Sequence, residues 1–230
     1  MAGHAAIMKF VKLIGPFAIY FALVVYCISY LNHPLHNWDV LGYVAAAHSF
    51  EEKDPQALHK FTFDQVRKSV SDQTYKALAS PPGDEPQAVY RRTMSKNPYA
   101  FYEQLQFYQI RPVYTGSIYL LSKLGVNIVY ATHLISGIAV VVGIMILYLL
   151  CKAFLAGPFV YLAPFFAIVF GALDLVRYST PDGLAFCAVI TSAYLFLKDN
   201  KMWLLLLFPI MIGIRTKATP CYLSKRDRQM

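Results

Sequence analysis

Apolar positions gather along this chain into five runs, separated by polar stretches of very unequal length. The runs cover about Phe10 to Leu31, Val126 to Cys151, Phe154 to Leu173, Leu184 to Leu197 and Met202 to Ile214. A bilayer core takes about 20 residues of helix, so these runs predict membrane spans. The first run is longer than the ~7–15 residues of a signal-peptide core, and no A-x-A-like cleavage site follows it. It reads as an uncleaved first helix. Pro158 and Pro164 interrupt the third run and Pro209 the fifth. Such helices are tolerable where neighbours satisfy the backbone groups that proline frees. The predicted fold is all-α, a polytopic transmembrane helix bundle with an extracytoplasmic interfacial helical loop. Residues 1–31 form the N-terminus and first span, 32–125 the loop with juxtamembrane helices, 126–214 four further spans, and 215–230 a polar tail.

The loop has a pattern of its own. Asn37 is a plausible N-cap for a helix from Trp38 to about His48, because Trp38, Leu41, Val44 and Ala45 recur at helical spacing. Such a helix is expected to lie along the membrane surface. Pro81, Pro82, Gly83 and Pro86 mark a flexible stretch. Tyr99, Phe101, Tyr102, Phe107 and Tyr108 lead back toward the bilayer, where aromatics are expected with no special function. Thr115 to Leu124 predicts a short interfacial helix. No internal repeat is visible.

Composition sharpens the membrane reading. The chain is 57% hydrophobic and 15% charged, with a mean hydropathy of +0.43. Ordinary soluble domains are about 45–50% apolar and about 25% charged. The net charge of +8 would suggest nucleic acid in a soluble protein. Here the basic residues are dispersed, with no basic stripe interleaved with stacking aromatics, so no nucleic-acid partner is expected. The expected surroundings are the lipid bilayer. Lys9 and Lys12, Lys152, and Lys198 and Lys201 fall on one side of a five-span arrangement, which reads as cytoplasmic. Residues 32–112 and 174–183 then share the far side. Cys27, Cys151, Cys187 and Cys221 show no metal-ligand spacing and read as small buried hydrophobes.

Three charges are placed where spans meet the far surface: Asp39, Arg111 and Asp182. A carboxylate there can take a proton from an attacking hydroxyl. An arginine can grip phosphate oxygens. Low local dielectric strengthens both effects. Each residue also has a plainer reading. Asp39 and Asp182 suit the first turn of a helix, and Arg111 suits an interfacial snorkelling position. Asp174 and Arg177 read as an ion pair, and His33, His36 and His48 as interfacial or solvated histidines rather than metal ligands. His133 reads as a packed, hydrogen-bonded histidine.

The order of these motifs resembles the N-terminal half of the GT-C superfamily of membrane glycosyltransferases, over roughly residues 10 to 215. The lipid-A aminoarabinose transferases and protein O-mannosyltransferases belong to it. In that pattern a first span is followed by an early acidic residue and a helix with Gly-Tyr, here Asp39 with Gly42 and Tyr43. A basic-Pro motif follows before a short helix ending in Leu-Gly, here Arg111-Pro112 and Leu124-Gly125. Later an Asp opens a span after a Ser/Thr-Pro turn, here Thr180-Pro181-Asp182. Some relatives carry Lys-Pro-Pro where this chain has Arg111-Pro112-Val113.

The resemblance implies a polyprenyl-phosphate-linked sugar as donor and transfer to an acceptor at the extracytoplasmic face. It implies Asp39 as general base or part of a metal-bound acid site, Arg111 as a donor-phosphate contact, and Asp182 as a second acid. A divalent cation is the one cofactor it brings in. The expected location is the bacterial inner membrane, with the large loop outside the cytoplasm. GT-C enzymes have about eight to thirteen spans, so the polar, basic residues Arg215 to Met230 read as an abrupt end, as of a truncated or frame-shifted product. The rival reading is a non-catalytic multi-pass protein, a transporter fragment or an assembly partner. A transporter should carry polar groups at mid-membrane depth. Thr132, His133, Ser136, Thr191 and Ser192 are the sparse candidates.

Overall fold

The computed structural model describes residues 2–155, 157, 159–169 and 171–214. The tail from Arg215, with Cys221, lies outside the described residues, as does Pro158. Among the described residues the fold is all-α, and no strand forms beyond one isolated bridge between Leu35 and Tyr178.

The helices follow local chemistry closely. A long α1 (Ala2–Leu31) leads to a cluster made of α2 (Asp39–His48), α3 (Pro55–Ser69), α4 (Asp72–Ala79), α5 (Pro86–Lys96), α6 (Pro98–Gln104), α7 (Gln106–Gln109) and α8 (Pro112–Lys123). Four of these open on proline, at Pro55, Pro86, Pro98 and Pro112. The first-turn N–H that proline lacks has no intrahelical partner anyway, and its fixed φ suits the helix. Asp54 caps α3 by accepting from the Ala57 amide (2.7 Å). Asn97 caps α6 through the Tyr99 and Ala100 amides. The chain continues into α9 (Ile128–Phe154), α10 (Phe159–Val169), α11 (Ala172–Arg177), α12 (Asp182–Leu197) and α13 (Lys201–Ile214). Asn127 caps α9 at the Val129 and Tyr130 amides.

Of the expected spans, α9 is the one described helix long and apolar enough to cross a membrane, with a mean hydropathy of 2.7. The apolar stretches Phe17–Leu31, Asp182–Leu197 and Lys201–Ile214 are shorter. The third run is not a single helix. It resolves into α10 and α11, with Gly171 between them in the left-handed region (φ +82°). Hydropathy alone does not register such a break.

Two cores meet along α9. One joins α1, α9, α10 and α11 through Tyr20, Cys27, Val140, Ile144, Val160 and Val176. Cys27 and Cys151 are buried thiols, as expected. The other fills the 32–125 segment around α2. This helix was expected on the membrane surface, but every residue from Val40 to Ala47 is buried. It is apolar on all sides, and a helix of that kind belongs in a core.

The segment after α1 is tied to the turn before α12. The Leu35 amide donates to the Arg177 carbonyl (2.9 Å), and Arg177 Nε donates to the His33 carbonyl (3.1 Å). Arg177 thus braces the segment after α1 rather than pairing with Asp174. From α9, Thr132 Oγ1 donates to Ser179 Oγ (2.8 Å), and Ser136 Oγ donates to the Thr180 carbonyl. Close approach completes the joint. A Cβ at Gly183 would lie 2.5 Å from the Ser136 carbonyl oxygen, so only glycine lets α12 start against α9 here. The starts of α2 and α12 are thereby held close to each other.

Candidate active site

Asp39, Arg111 and Asp182 all stand at helix starts: first residue of α2, N-cap of α8 and first residue of α12. The positive end of a helix dipole favours the two carboxylates. Placing Arg111 at a third such end concentrates positive potential, which suits an anionic ligand. The three residues interact. The Arg111 and Asp182 charges both act on the Asp39 carboxyl, and both act on Tyr43 as well. The structure therefore brings the three residues into one neighbourhood.

Asp39 is held through both oxygens. Its Oδ2 accepts from Asn37 Nδ2 (3.0 Å) and its Oδ1 from the Tyr108 hydroxyl (3.2 Å). Asn37 was expected to cap the helix. Its side chain reaches Asp39 instead, and α2 has no side-chain cap. Burial pushes the Asp39 carboxyl above the usual carboxylate range, and the Asp182 charge pushes the same way. The Tyr108 hydrogen bond, the Arg111 charge and the Asn37 hydrogen bond offset part of this rise. A half-buried carboxyl raised in this manner is a better proton acceptor at neutral pH than an ordinary aspartate.

Arg111 is fixed by tyrosines. Its Nη1 donates to the Tyr43 hydroxyl, and its guanidinium lies 5.6 Å over the Tyr43 ring. Its Nε is buried with no protein partner. Tyr43 is packed edge-on by Tyr108 at 4.9 Å and Tyr114 at 4.7 Å between centroids. Tyr114, fully buried, donates to the Thr132 carbonyl (2.5 Å) and ties α8 to α9. Arg111 is thus seated on a triple-tyrosine platform, unlike a snorkelling side chain reaching for water. Burial pushes the Tyr43, Tyr108 and Tyr114 phenols up, so they stay protonated donors.

Further along the same helices, α8, α9 and α12 wall an apolar groove of about 420 Å³, lined by Ser117, Leu121, Ile135, Ala139, Leu184 and Cys187 among others, with Leu184 two residues after Asp182. No group of three His, Cys, Asp or Glu side chains gathers among the described residues. Each Asp39 oxygen accepts one hydrogen bond.

No family model, curated protein or solved structure matches the chain. What the site can do follows from its own geometry.

Sequence reasoning missed Tyr108, Tyr114 and Asn37 as parts of the site. Tyr108 stands in a run of aromatics that composition cannot tell from an interfacial belt. The histidines divide. His48 stacks on Phe61 (3.6 Å) at the end of α2, and His36 contacts His133 (6.0 Å). His133 is packed as expected, against Tyr130 (4.7 Å), but neither ring nitrogen has a protein hydrogen-bond partner.

Proposed function

We propose that the chain is a multi-pass membrane glycosyltransferase of the GT-C type. It moves a sugar from a polyprenyl-phosphate donor to an acceptor nucleophile at the extracytoplasmic face. One observation carries this reading. An arginine and two carboxylates, far apart in sequence, converge at three helix starts, and two of those helices, α8 and α12, go on to line an apolar groove. A donor with a phosphate head and a hydrocarbon tail matches that pairing of chemistries.

The surface supports a lipid environment. Along α9, Ile138, Val142, Met145 and Leu149 are exposed and fall on one helical stripe. On α13, Leu205, Leu206, Phe208 and Ile212 are exposed, as are Phe17, Phe21, Val25 and Ile28 on α1. Soluble monomers rarely expose contiguous apolar patches beyond a few hundred Å². The 32–125 segment differs, with Lys60, Asp64, Arg67 and Lys68 on the exposed side of α3.

In the proposed reaction the acceptor hydroxyl attacks the anomeric carbon. A glycosidic bond forms as the carbon–oxygen bond to phosphate breaks, and polyprenyl phosphate leaves with the bonding pair. Asp39 takes the hydroxyl proton. Arg111 holds the phosphate oxygens as the leaving group gains charge. Asp182 is the second acid of the site. No step in this scheme runs through a divalent cation.

Two measurements test the reading. Ser71→Cys, in the loop, should react with a membrane-impermeant thiol reagent in intact cells, and Asn200→Cys only after permeabilisation. Labelling of Ser71→Cys from the cytoplasm alone would sink the orientation. In lipid nanodiscs the chain should bind a polyprenyl-phosphate-linked sugar saturably, with polyprenyl phosphate competing. Uptake no greater than that of empty nanodiscs would remove the donor from the proposal.

A further inference from the structure

We infer that Tyr108 is a positioning residue: its hydroxyl holds the Asp39 carboxylate, and Gly42 leaves open the slot in which its ring lies. The inference rests on Asp39 acting as the base, but it concerns a contact that can be measured without turnover.

The geometry is specific. Gly42 and Asp39 are three residues apart on α2, so they share a face of the helix. A Cβ at position 42 would fall 2.2 Å from Tyr108 Cζ and 2.4 Å from both Cε atoms. The phenol end of the ring therefore lies directly over the α2 backbone. Crossing that bare patch brings the hydroxyl to Asp39 Oδ1 at 3.2 Å. Tyr43 packs edge-on against the ring and limits its sideways movement. Asn37 holds the other carboxylate oxygen. A carboxylate gripped at both oxygens cannot rotate freely, and proton abstraction depends on a lone pair directed at the substrate.

A packing role alone would not need the hydroxyl. A tyrosine this buried must still find a partner for its O–H, and the partner found is Asp39. The bond also bears on protonation. Tyr108 donates to the ionised form of Asp39 and holds its carboxyl down against the larger effect of burial. The other charges acting on Asp39 are Arg111 at the start of α8 and Asp182 on α12; the Asp39 charge in turn acts on the phenols of Tyr43 on α2, Tyr90 on α5 and Tyr114 on α8, which face it as neutral groups. Tyr108 stays a donor, because burial and the Asp39 charge both push its phenol up.

The test uses the full chain in nanodiscs. Infrared difference spectroscopy across a pH titration follows the Asp39 carboxyl band, assigned by its loss in Asp39→Asn. Tyr108→Phe keeps the ring and removes the hydroxyl, and the titration midpoint should move to higher pH. Gly42→Ala keeps the hydroxyl but displaces the ring, and should move the midpoint the same way. If the two changes act through one contact, the double variant should move it no further than the larger single shift. Should Gly42→Ala fail to fold, Tyr108→Phe decides alone. An unchanged midpoint in Tyr108→Phe overturns the inference, whatever happens to stability. The base assignment fails separately: full turnover in Asp39→Asn would reject it and leave the infrared result standing by itself.

Discussion

Asp39→Asn should abolish most sugar transfer while leaving donor binding and the fold in place. General-base assistance is worth about 10²–10⁴-fold in rate, so turnover should fall by that order. The fold should tolerate the change for a local reason. Asn37 Nδ2 donates to Asp39 Oδ2, while Asn37 Oδ1 is buried without a partner. A flip of the Asn37 amide would let that oxygen accept from the amide introduced by Asp39→Asn, so no donors need face each other. The pH dependence carries a definite sign. The Asp39 carboxyl titrates above the usual carboxylate range, so wild-type activity should rise with pH through that raised value and fall away on its acid side. Stability runs the other way. The folded state holds this proton more tightly than the unfolded chain, so this group's contribution falls as pH rises from the unfolded pKa through the raised folded one. At neutral pH, thermal unfolding of Asp39→Asn should therefore come no lower than that of wild type. A Tm well below wild type at pH 7 would mean that the carboxylate serves the fold.

Arg111→Ala should act first on binding. Hydrogen bonds to charged groups are worth about 1.5–3 kcal/mol, which corresponds to roughly 10–100-fold weaker donor binding. Turnover should drop further if the contact tightens as the leaving phosphate gains charge. Arg111→Lys should restore binding only in part. Lysine keeps the charge but loses the planar fork and the stacking on Tyr43. Titration of a polyprenyl-phosphate sugar into nanodiscs carrying each variant checks this order. Equal affinity in wild type and Arg111→Ala would remove Arg111 from the donor contact.

Much of the architecture was legible in the chain. The apolar runs marked α1, α9, α12 and α13, Asp182 marked a helix start that the structure contains, and the helix expected over Thr115 to Leu124 is α8, which starts three residues earlier at Pro112. What was missed has physical causes. Trp38, Leu41, Val44 and Ala45 mark one face of α2, but Val40, Tyr43, Ala46 and Ala47 make the helix apolar all round, and that distinguishes a core helix from a surface one. The third run kept its hydropathy across the break at Gly171, because hydropathy carries no information on φ. Asp39, Arg111 and Asp182 each had an adequate local explanation as a helix-start or interfacial residue. Long-range ties bring them together: those between the segment after α1 and the turn before α12, and those from α8 through Arg111 to Tyr43 and Tyr114 to Thr132. Tyr108 needed the Gly42 slot to become meaningful, and a slot is a property of two elements at once.

The most direct test follows the sugar itself. Membranes carrying the chain would be supplied with a polyprenyl-phosphate donor labelled in its sugar, and the label remaining on lipid would be measured over time. Label should leave the lipid with wild type and stay on it with Asp39→Asn, although both proteins bind the donor. Label retained on the lipid by wild type, or lost at the same rate with both proteins, would contradict the proposed transfer.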